Sequence, residues 1–261
     1  MAAFSFVKYH GTGNDFILID DREGRFPTEA YSGIEQLCHR RFGIGADGLI
    51  LVQHSGVAHF KMVYFNSDGR PSTFCGNGSR CIASYAHSLG LGEENFIAFE
   101  ASDGLHQAEI LPNDVVVIKM GDVGEVTKTS MGLYLHTGSP HLVVPVEEIL
   151  DYPVKEIGRS YRNDAKFRPG GTNVNFMQRW QDGVFARTYE RGVEDETFSC
   201  GTGVVAAALV ANLLYGMQQP IKIHTQGGVL SVSFQRVGQG FQSVYLIGPA
   251  KRVFDGVLEI V

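Results

Sequence analysis

Short apolar or alternating runs, separated by glycine or Asx turns, recur along this chain of 261 residues. Runs of this kind, bounded by turn residues, predict β-strands. They lie at 15–20, 49–53, 58–69, 95–104, 106–122, 140–146, 172–180, 183–192, 220–228, 229–238 and 242–250. Three longer segments, at 28–43, 78–92 and 201–216, predict helices. The first ends in basic residues followed by glycine, which is typical of a helix C-terminus.

Strands outnumber helices and do not alternate strictly with them. This favours an α+β (mixed α/β) architecture over a doubly wound parallel sheet. The segment "GTGVVAAALVANLLYG" at 201–216 is apolar nearly all round, and such a helix must be enclosed on every side. We therefore expect a curved mixed β-sheet wrapped around a central helix.

A repeated turn divides the chain into two related halves. "CGNG" at 75–78 and "CGTG" at 200–203 begin 125 residues apart, and each lies between a strand-like segment with an acidic turn and a buried-looking helix. The repeat favours two pseudo-symmetric domains with the turns facing each other. The predicted domains are residues 1–119 with 250–261, carrying Cys75, and residues 120–249, carrying Cys200.

Composition excludes several classes of partner. The formal net charge is −6 and the isoelectric point is about 5.8, so neither nucleic acid nor an anionic membrane is expected. The longest apolar run is too short to span a bilayer. The N-terminal segment lacks the basic and long apolar regions of a secretory signal. We therefore expect a soluble cytoplasmic protein that acts on a small molecule.

The four cysteines and one glycine motif exclude further classes. Four cysteines are too few for a disulfide scaffold of this length, and "CGNGSRC" has no second close pair to complete a zinc site, so no structural metal is expected. "GIGADG" at 43–48 follows a predicted helix and precedes a predicted strand, the reverse of a dinucleotide site. We interpret it as a helix-to-strand connection.

The repeated turns place a thiol at each of two helix starts. Backbone N–H groups and the positive end of the helix dipole stabilise a thiolate there and bind carboxylates, and glycine lets a ligand approach the backbone. Two facing thiols could invert a stereocentre, one removing a proton and the other returning one to the opposite face. Such a reaction needs no cofactor. Cys38 and Cys81 head no glycine turn and are expected to be buried and inert.

At these residues the chain resembles the diaminopimelate epimerases. The matching stretches span nearly the whole chain, in family order: "HGTGNDFILID" at 10–20, "RFGIGADGLILV" at 41–52, "FNSDG" at 65–69, "CGNGSRC" at 75–81, "GSPH" at 138–141, "GTNVNF" at 171–176, "ERGVEDETFSCGTG" at 190–203 and "GPA" at 248–250. The resemblance implies two similar halves with the site in a cleft between them. It also implies cofactor-independent interconversion of LL- and meso-diaminopimelate, for lysine and peptidoglycan synthesis, and by analogy a homodimer.

The resemblance also implies roles for individual residues. Cys75 and Cys200 would be the acid/base pair. Glu190 would meet a substrate amine, and Arg191 would clamp the distal carboxylate with its planar fork. His141 would lie near the site without being assigned substrate contact. The remaining substrate-binding residues would be Asn14, Asn66 and Asn173 through their side chains, and Gly76, Asn77, Gly201 and Thr202 at the two helix starts.

Two departures from the family pattern bear on substrate preference. Many members have asparagine where this chain has Ser139, and many have glutamine where it has Gly48. The segment between Arg191 and Cys200 is also slightly longer than in the commoner family pattern.

Four alternatives stay open. They are another amino-acid racemase or epimerase on the same scaffold, an isomerase of that scaffold without the thiol pair, a carboxylate-binding protein without catalysis, and a thiol redox protein. The paired cysteines and Arg191 favour the diaminopimelate reaction over these.

Overall fold

The computed structural model describes residues 2–72 and 75–260. The α-helices are α1 (Tyr31–Cys38), α2 (Gly76–Ser88), α3 (Val154–Arg162) and α4 (Gly201–Tyr215), and a short 3-10 helix covers Ala165–Phe167. The strands are β1 (Ala2–Gly11), β2 (Asn14–Asp20), β3 (Gly48–Gln53), β4 (Phe60–Asn66), β5 (Phe96–Ala101), β6 (Gly104–Leu111), β7 (Val115–Lys119), β8 (Thr127–Lys128), β9 (Leu133–His136), β10 (Pro140–Pro145), β11 (Asn173–Trp180), β12 (Gly183–Glu190), β13 (Asp195–Thr197), β14 (Ile221–Thr225), β15 (Gly228–Val237), β16 (Gly240–Pro249) and β17 (Lys251–Ile260).

The chain forms two compact units, residues 1–118 with 249–261 and residues 119–248. In the first unit, β17 pairs with β1 and β1 with β2, both antiparallel. The pair β2–β3 is parallel, β3–β4 antiparallel and β4–β5 parallel. Antiparallel β5–β6 and β6–β7 pairs complete the sheet. The central helix α2 packs against β1, β2, β3, β5 and β6.

The second unit repeats this pairing pattern strand for strand. Antiparallel β8–β9 and β9–β10 pairs are followed by parallel β10–β11, antiparallel β11–β12 and parallel β12–β14. The pairs β14–β15 and β15–β16 are again antiparallel. The central helix α4 contacts β9, β10, β11, β12, β14 and β15. The α+β class with two pseudo-symmetric domains is confirmed, with α1 and α2 equivalent to α3 and α4.

Both central helices are largely buried, and α4 is covered because its sequence leaves no polar stripe. In α4, every residue from Gly203 to Ala211 is buried, which confirms the enclosed helix predicted from its apolar surface. In α2, the buried residues include Cys81 and the residues of the glycine turn at 76–78. In each unit the central helix belongs to the second parallel crossover. In the first unit α2 connects β4 to β5, so it begins after the end of β4, and in the second unit α4 lies between β12 and β14, after β13.

The first helix is shorter than the sequence predicts. The pattern predicts a helix over 28–43, whereas α1 spans only Tyr31–Cys38. His39 then turns the chain, and its Nδ1 accepts from the backbone N–H groups of Arg41 and Phe42, 3.2 and 3.1 Å away. The glycine segment 43–48 connects this turn to β3, as the helix-to-strand interpretation required.

Candidate active site

Cys75 is the N-cap residue of α2. Its backbone is extended, with φ −127° and ψ 117°, and its Sγ accepts from the N–H of Gly78 at 3.5 Å. Gly76 and Asn77 form the buried first turn of the helix. The side chain is half-buried. The structure therefore places this thiol where helix amides and the helix dipole stabilise its ionised form.

Asn14 contacts this thiol from a tight hairpin. Gly11 pairs with Asn14, and the two residues between them, Thr12 and Gly13, have φ values of 51° and 87°. Asn14 Oδ1 accepts from Cys75 Sγ at 3.7 Å and from Asn77 Nδ2 at 3.2 Å. The hairpin thus brings three of the predicted site residues together.

Asp47, which was not among the predicted site residues, sets the orientation of the Asn14 amide. Asn14 Nδ2 donates to Asp47 Oδ2 at 2.6 Å, so Oδ1 is the atom that remains for Cys75 and Asn77. Arg40 Nη2 donates to the other carboxylate oxygen of Asp47, Oδ1, at 2.6 Å, and it also donates to Asp15 Oδ1 at 2.7 Å. Salt bridges from Lys8 and Arg40, against the effect of burial, lower the pKa of Asp15 to about 2.

The position of Asn66 is set by strand pairing and by a backbone hydrogen bond. It ends β4 opposite Gly48, at the same edge of the sheet as Asn14, and its side chain is exposed. The backbone N–H of Asn66 donates to Arg70 O at 3.0 Å, which closes the turn after β4. At residue 48 there is no room for a side chain, since a Cβ would lie 2.5 Å from Phe65 O and 2.6 Å from the Tyr64 ring.

Cys200 occupies the equivalent position at the start of α4. Its backbone is also extended, with φ −113° and ψ 115°, and it is 7% exposed. Its Sγ lies 3.5 Å from Thr202 Oγ1, a contact in which either atom can donate. Gly201 is buried in the first turn. Gly203 lets α4 approach β11, because a Cβ there would lie 2.3 Å from Asn175 Oδ1.

His141 is fully buried behind Thr202, and its contacts assign its tautomer. Asn175 Nδ2 donates to Leu142 O at 3.3 Å and lies 3.0 Å from His141 Nδ1, while Asn175 Oδ1 accepts from Thr188. Because Nδ1 faces a donor, it carries no proton and Nε2 does. Nε2 then donates towards the hydroxyl oxygens of Thr202 and Ser139, each 2.9 Å away. Burial above all, aided by the charges of His136 and then Arg191, lowers the pKa of His141 to about 3.

Among the remaining predicted residues of this unit, Asn173 is joined by hydrogen bonds to the residues around this helix start. Asn173 Nδ2 donates to Ser139 Oγ at 3.2 Å, and Ser139 Oγ lies 2.9 Å from His141 Nε2. Asn173 Oδ1 accepts from the backbone N–H of Arg191 at 2.8 Å. Glu190 Oε2 accepts from Thr197 Oγ1 at 3.0 Å. His141, Asn173 and Thr202 are thus joined into one network with Ser139, while Glu190 and Arg191 follow at the end of β12.

Asp47, Asn175 and Thr197 are among the residues around the two thiols that the sequence analysis did not identify. Asp47 lies inside the glycine motif at 43–48, and its proximity to Asn14 follows from the parallel pairing of β2 and β3. Asn175 follows Asn173 at a two-residue spacing, so both side chains point to the same face of β11. Thr197 lies on β13, opposite Thr188. The alternation in "TNVN" was the available signal for Asn175.

Each thiol site combines a sulfur atom with helix amides, an arrangement that can hold a carboxylate and exchange one proton. Across residues 2–72 and 75–260, no group of three or more His, Cys, Asp or Glu side chains is arranged to hold a metal ion. In the same part of the chain, no helix has the length and apolar character needed to cross a bilayer.

The fold is shared with solved structures of proteins that carry different names. The chain is similar to a phenazine biosynthesis protein of the PhzF family from Bacillus anthracis, with a TM-score of 0.75, 17% identity and full coverage of both chains. It is also similar to a hydroxyproline epimerase from Agrobacterium vitis, with a TM-score of 0.67, 15% identity and coverage of 98% of this chain and 92% of that one. At these identities the similarity shows the fold alone.

Sequence comparison gives the family. The family model for diaminopimelate epimerase matches residues 6–126 and again 133–253, once in each half. The diaminopimelate epimerase of Flavobacterium psychrophilum is 45% identical over 250 residues, covering 95% of this chain and 97% of the relative. That of Aquifex aeolicus is 38% identical, with 97% of each chain covered. This chain belongs to the diaminopimelate epimerase family, and it is an isomerase.

Proposed function

We propose that this protein interconverts LL- and meso-2,6-diaminopimelate without a cofactor, with Cys75 and Cys200 as a two-base pair. The observation that carries the proposal is the pseudo-equivalence of the two thiols. Each is the N-cap of the central helix of its unit, in the same extended conformation and ahead of the same glycine turn. A structural cysteine has no need of this position, and its repetition in both units favours a shared chemical role.

In the proposed reaction, one thiolate takes the proton from the substrate α-carbon and becomes a thiol. The electron pair left on carbon is delocalised into the α-carboxylate, where helix N–H groups stabilise the charge. The other thiol returns a proton to the opposite face of the carbon and becomes a thiolate. Atoms and charge balance without an external acid, base or oxidant, and the two cysteines exchange roles with the direction of reaction.

The other predicted residues are assigned to substrate binding. Gly76, Asn77, Gly201 and Thr202 would bind the reacting carboxylate at the helix starts, and Asn14 would orient the substrate beside Cys75. Arg191 would clamp the distal carboxylate and Glu190 would bind an amine, supported by their position at the end of β12. Asn66 and Asn173 would complete the binding site. His141 is assigned a supporting role through Thr202.

The wider setting belongs to the same proposal. The product would supply lysine and peptidoglycan synthesis in the cytoplasm. A homodimer is supported by exposed apolar side chains on β17, at Val253, Phe254 and Val257. Light scattering of the purified protein would distinguish a dimer from a monomer.

The decisive experiment is incubation with LL-diaminopimelate in deuterated water. We expect the meso isomer to form and deuterium to enter at the α-carbon, as measured by NMR and mass spectrometry. Cys75→Ser and Cys200→Ser should each abolish inversion, whereas the matched control Cys38→Ala should retain it, because burial raises the pKa of that thiol to about 12. The absence of exchange in the parent protein would exclude the assignment.

The same assay separates the alternatives. A racemase for monocarboxylic amino acids would exchange L-proline, trans-4-hydroxy-L-proline or L-lysine faster than diaminopimelate. A carboxylate-binding protein would bind without exchange and would tolerate Cys75→Ser. A redox protein would retain full activity after passing through a Cys75–Cys200 disulfide, which should inactivate an epimerase.

A further inference from the structure

Arg80 is a buried cation without an anionic partner. It lies in the second turn of α2 and is 0% exposed. Burying a charge is costly unless it is paired. Among residues 2–72 and 75–260, however, no carboxylate forms a salt bridge with it, and its hydrogen bonds all reach uncharged acceptors. These are Gly76 O at 3.3 Å, Asn77 Oδ1 at 3.0 Å, Thr12 Oγ1 at 3.3 Å and Pro249 O at 3.3 Å.

These hydrogen bonds join the two segments that contact the Cys75 thiol. Thr12 has a φ of 51°, a conformation that β-branched residues rarely adopt, and it lies in the hairpin turn that presents Asn14. Arg80 Nη2 donates to its hydroxyl. Gly11 leaves the space for this contact, because a Cβ there would lie 3.0 Å from the same nitrogen. The guanidinium therefore ties the hairpin to the helix start.

Arg80 also sets the orientation of the Asn77 amide. Because Nη2 donates to Asn77 Oδ1, the Nδ2 group of Asn77 is the one directed at Asn14 Oδ1, 3.2 Å away. The reverse orientation of the Asn77 amide would place two donors face to face. The same oxygen of Asn14 accepts from Cys75 Sγ. Arg80 therefore orients the Asn77 amide and Asp47 orients the Asn14 amide, and together they leave Asn14 Oδ1 facing the thiol.

The charge of Arg80 can stabilise the ionised form of the Cys75 thiol. Burial lowers the pKa of Arg80 to about 10, so it stays a cation near neutral pH, and it interacts electrostatically with Cys81 and Cys75. Burial raises the pKa of the Cys81 thiol far above its usual range, so that residue stays neutral. A thiolate at Cys75 would be the nearby anion that Arg80 otherwise lacks.

All but two of the other ionisable groups on the strands packed against α2 pair with residues outside that helix. Lys8 pairs with Asp15, and Asp20 with Arg22. Glu100 binds Ser55, His106 binds Asp103 and Glu109 binds Asn95. The two that remain, both on β1, are Tyr9, which hydrogen-bonds Ser84, and His10, which accepts from the N–H of Gly13.

We propose that Arg80 is a positioning residue for Cys75, holding the Asn14 hairpin against the start of α2 and stabilising the Cys75 thiolate with its buried charge. The inference deepens the proposed function, in which Cys75 is one of the two bases. Its test needs no substrate turnover, so it can fail or succeed independently of the epimerase assignment.

The test measures alkylation of Cys75 by iodoacetamide in the full-length protein from about pH 5 to pH 10, with peptide mass spectrometry to separate the cysteines. The variants are Arg80→Met, which removes the charge, Arg80→Gln, which removes it but keeps donors, and Arg80→Lys, which keeps it. Arg25→Met is the control, because Arg25 lies in the same unit, is exposed and pairs with Glu23. Circular dichroism verifies the fold of each variant.

We expect both neutral variants to move the Cys75 alkylation midpoint up by about one pH unit, which lowers its rate near neutral pH about tenfold. Arg80→Lys should stay close to the parent midpoint, and the Cys200 profile should not change in any variant. If Arg80→Met does not fold, Arg80→Gln gives the same comparison. An unchanged Cys75 midpoint in a folded neutral variant, or an equal shift in Arg80→Lys, would overturn the proposal.

Discussion

The buried imidazole of His141 makes the stability of the second unit depend on pH. His141 Nδ1 faces the donor Nδ2 of Asn175 at 3.0 Å, so a second ring proton would place two donors against each other in a site without solvent. The pKa of about 3 in the folded protein lies well below the ordinary value of 6.5. The unfolded chain therefore binds the proton more strongly than the folded protein between these values.

The sign follows from linkage. A group whose pKa is depressed on folding contributes stability above its unfolded pKa and loses that contribution as the pH falls towards the folded pKa. Each pH unit below 6.5 therefore costs about 1.4 kcal/mol of unfolding free energy. Between pH 7.5 and pH 5.0 the loss should be about 2 kcal/mol. Asp15, with a folded pKa of about 2, loses its contribution only below this window.

The single tryptophan provides the assay. Trp180 ends β11, the strand that carries Asn173 and Asn175, so its fluorescence reports unfolding of the same unit. Urea titrations at pH 7.5, 6.5, 5.5 and 5.0 give the free energy of unfolding at each pH. His141→Asn is the matched control, since it retains the other eight of the nine histidines. The reasoning is refuted if the parent protein loses less than about 0.5 kcal/mol over this range, or if the variant loses as much as the parent.

Four further substitutions test the packing and the hydrogen bonds that the structure shows at single positions. Gly203→Ala and Gly158→Ala should each destabilise by about 1–3 kcal/mol in urea unfolding, because a Cβ would lie 2.3 Å from Asn175 Oδ1 or 2.4 Å from Tyr189 Cβ. Gly33→Ala in α1, with its nearest neighbour at 3.8 Å, should instead stabilise by about 0.5–1 kcal/mol, and a loss there would contradict the packing argument. Asp47→Asn should lower kcat/KM for α-proton exchange about tenfold, because the Asn14 amide loses its charge-assisted anchor, and an unchanged rate would exclude this role.

The repeated turns were predictable because local sequence determines them. A cysteine followed by glycines and then by an apolar run indicates a helix start, and both α2 and α4 begin at the residue after the cysteine. The alternating runs likewise marked strands such as β11 and β12. These elements depend on residues within one segment, so the sequence alone could locate them.

Elements that depend on distant partners were not predicted. The strands β1 and β17 pair through residues at opposite ends of the chain, and neither run was identified as a strand. Helix α3 was missed because it is only nine residues long and contains Gly158, whose lack of a side chain serves the contact with Tyr189 on β12. For the same reason the role of Asp47 was hidden, since only the pairing of β2 with β3 brings it to Asn14.

The two departures from the family pattern have different consequences in this chain. At residue 48 the Tyr64 ring and Phe65 O occupy the position of a side chain, so glycine is required by packing. At residue 139 the serine hydroxyl lies within hydrogen-bond distance of His141, Thr202 and Asn173. Ser139 therefore keeps a polar side chain inside the network around Cys200. Gly48, in contrast, leaves the sheet edge that carries Asn14 without a side chain at that position.

A symmetric scaffold thus carries two thiols with unlike surroundings. Asn14 Oδ1 can only accept, because Asp47 holds its amide, so it stabilises the thiol form of Cys75, whereas the N–H of Gly78 stabilises the thiolate. At Cys200 the sulfur lies within hydrogen-bond distance of the Thr202 hydroxyl, which also contacts His141 Nε2 and Ser139 Oγ. The Cys75 sulfur thus faces one acceptor and one donor, so it has a hydrogen-bond partner as a thiol and as a thiolate. The repeat supplies the helix starts, and the unrepeated side chains give the two sulfurs different hydrogen-bond partners.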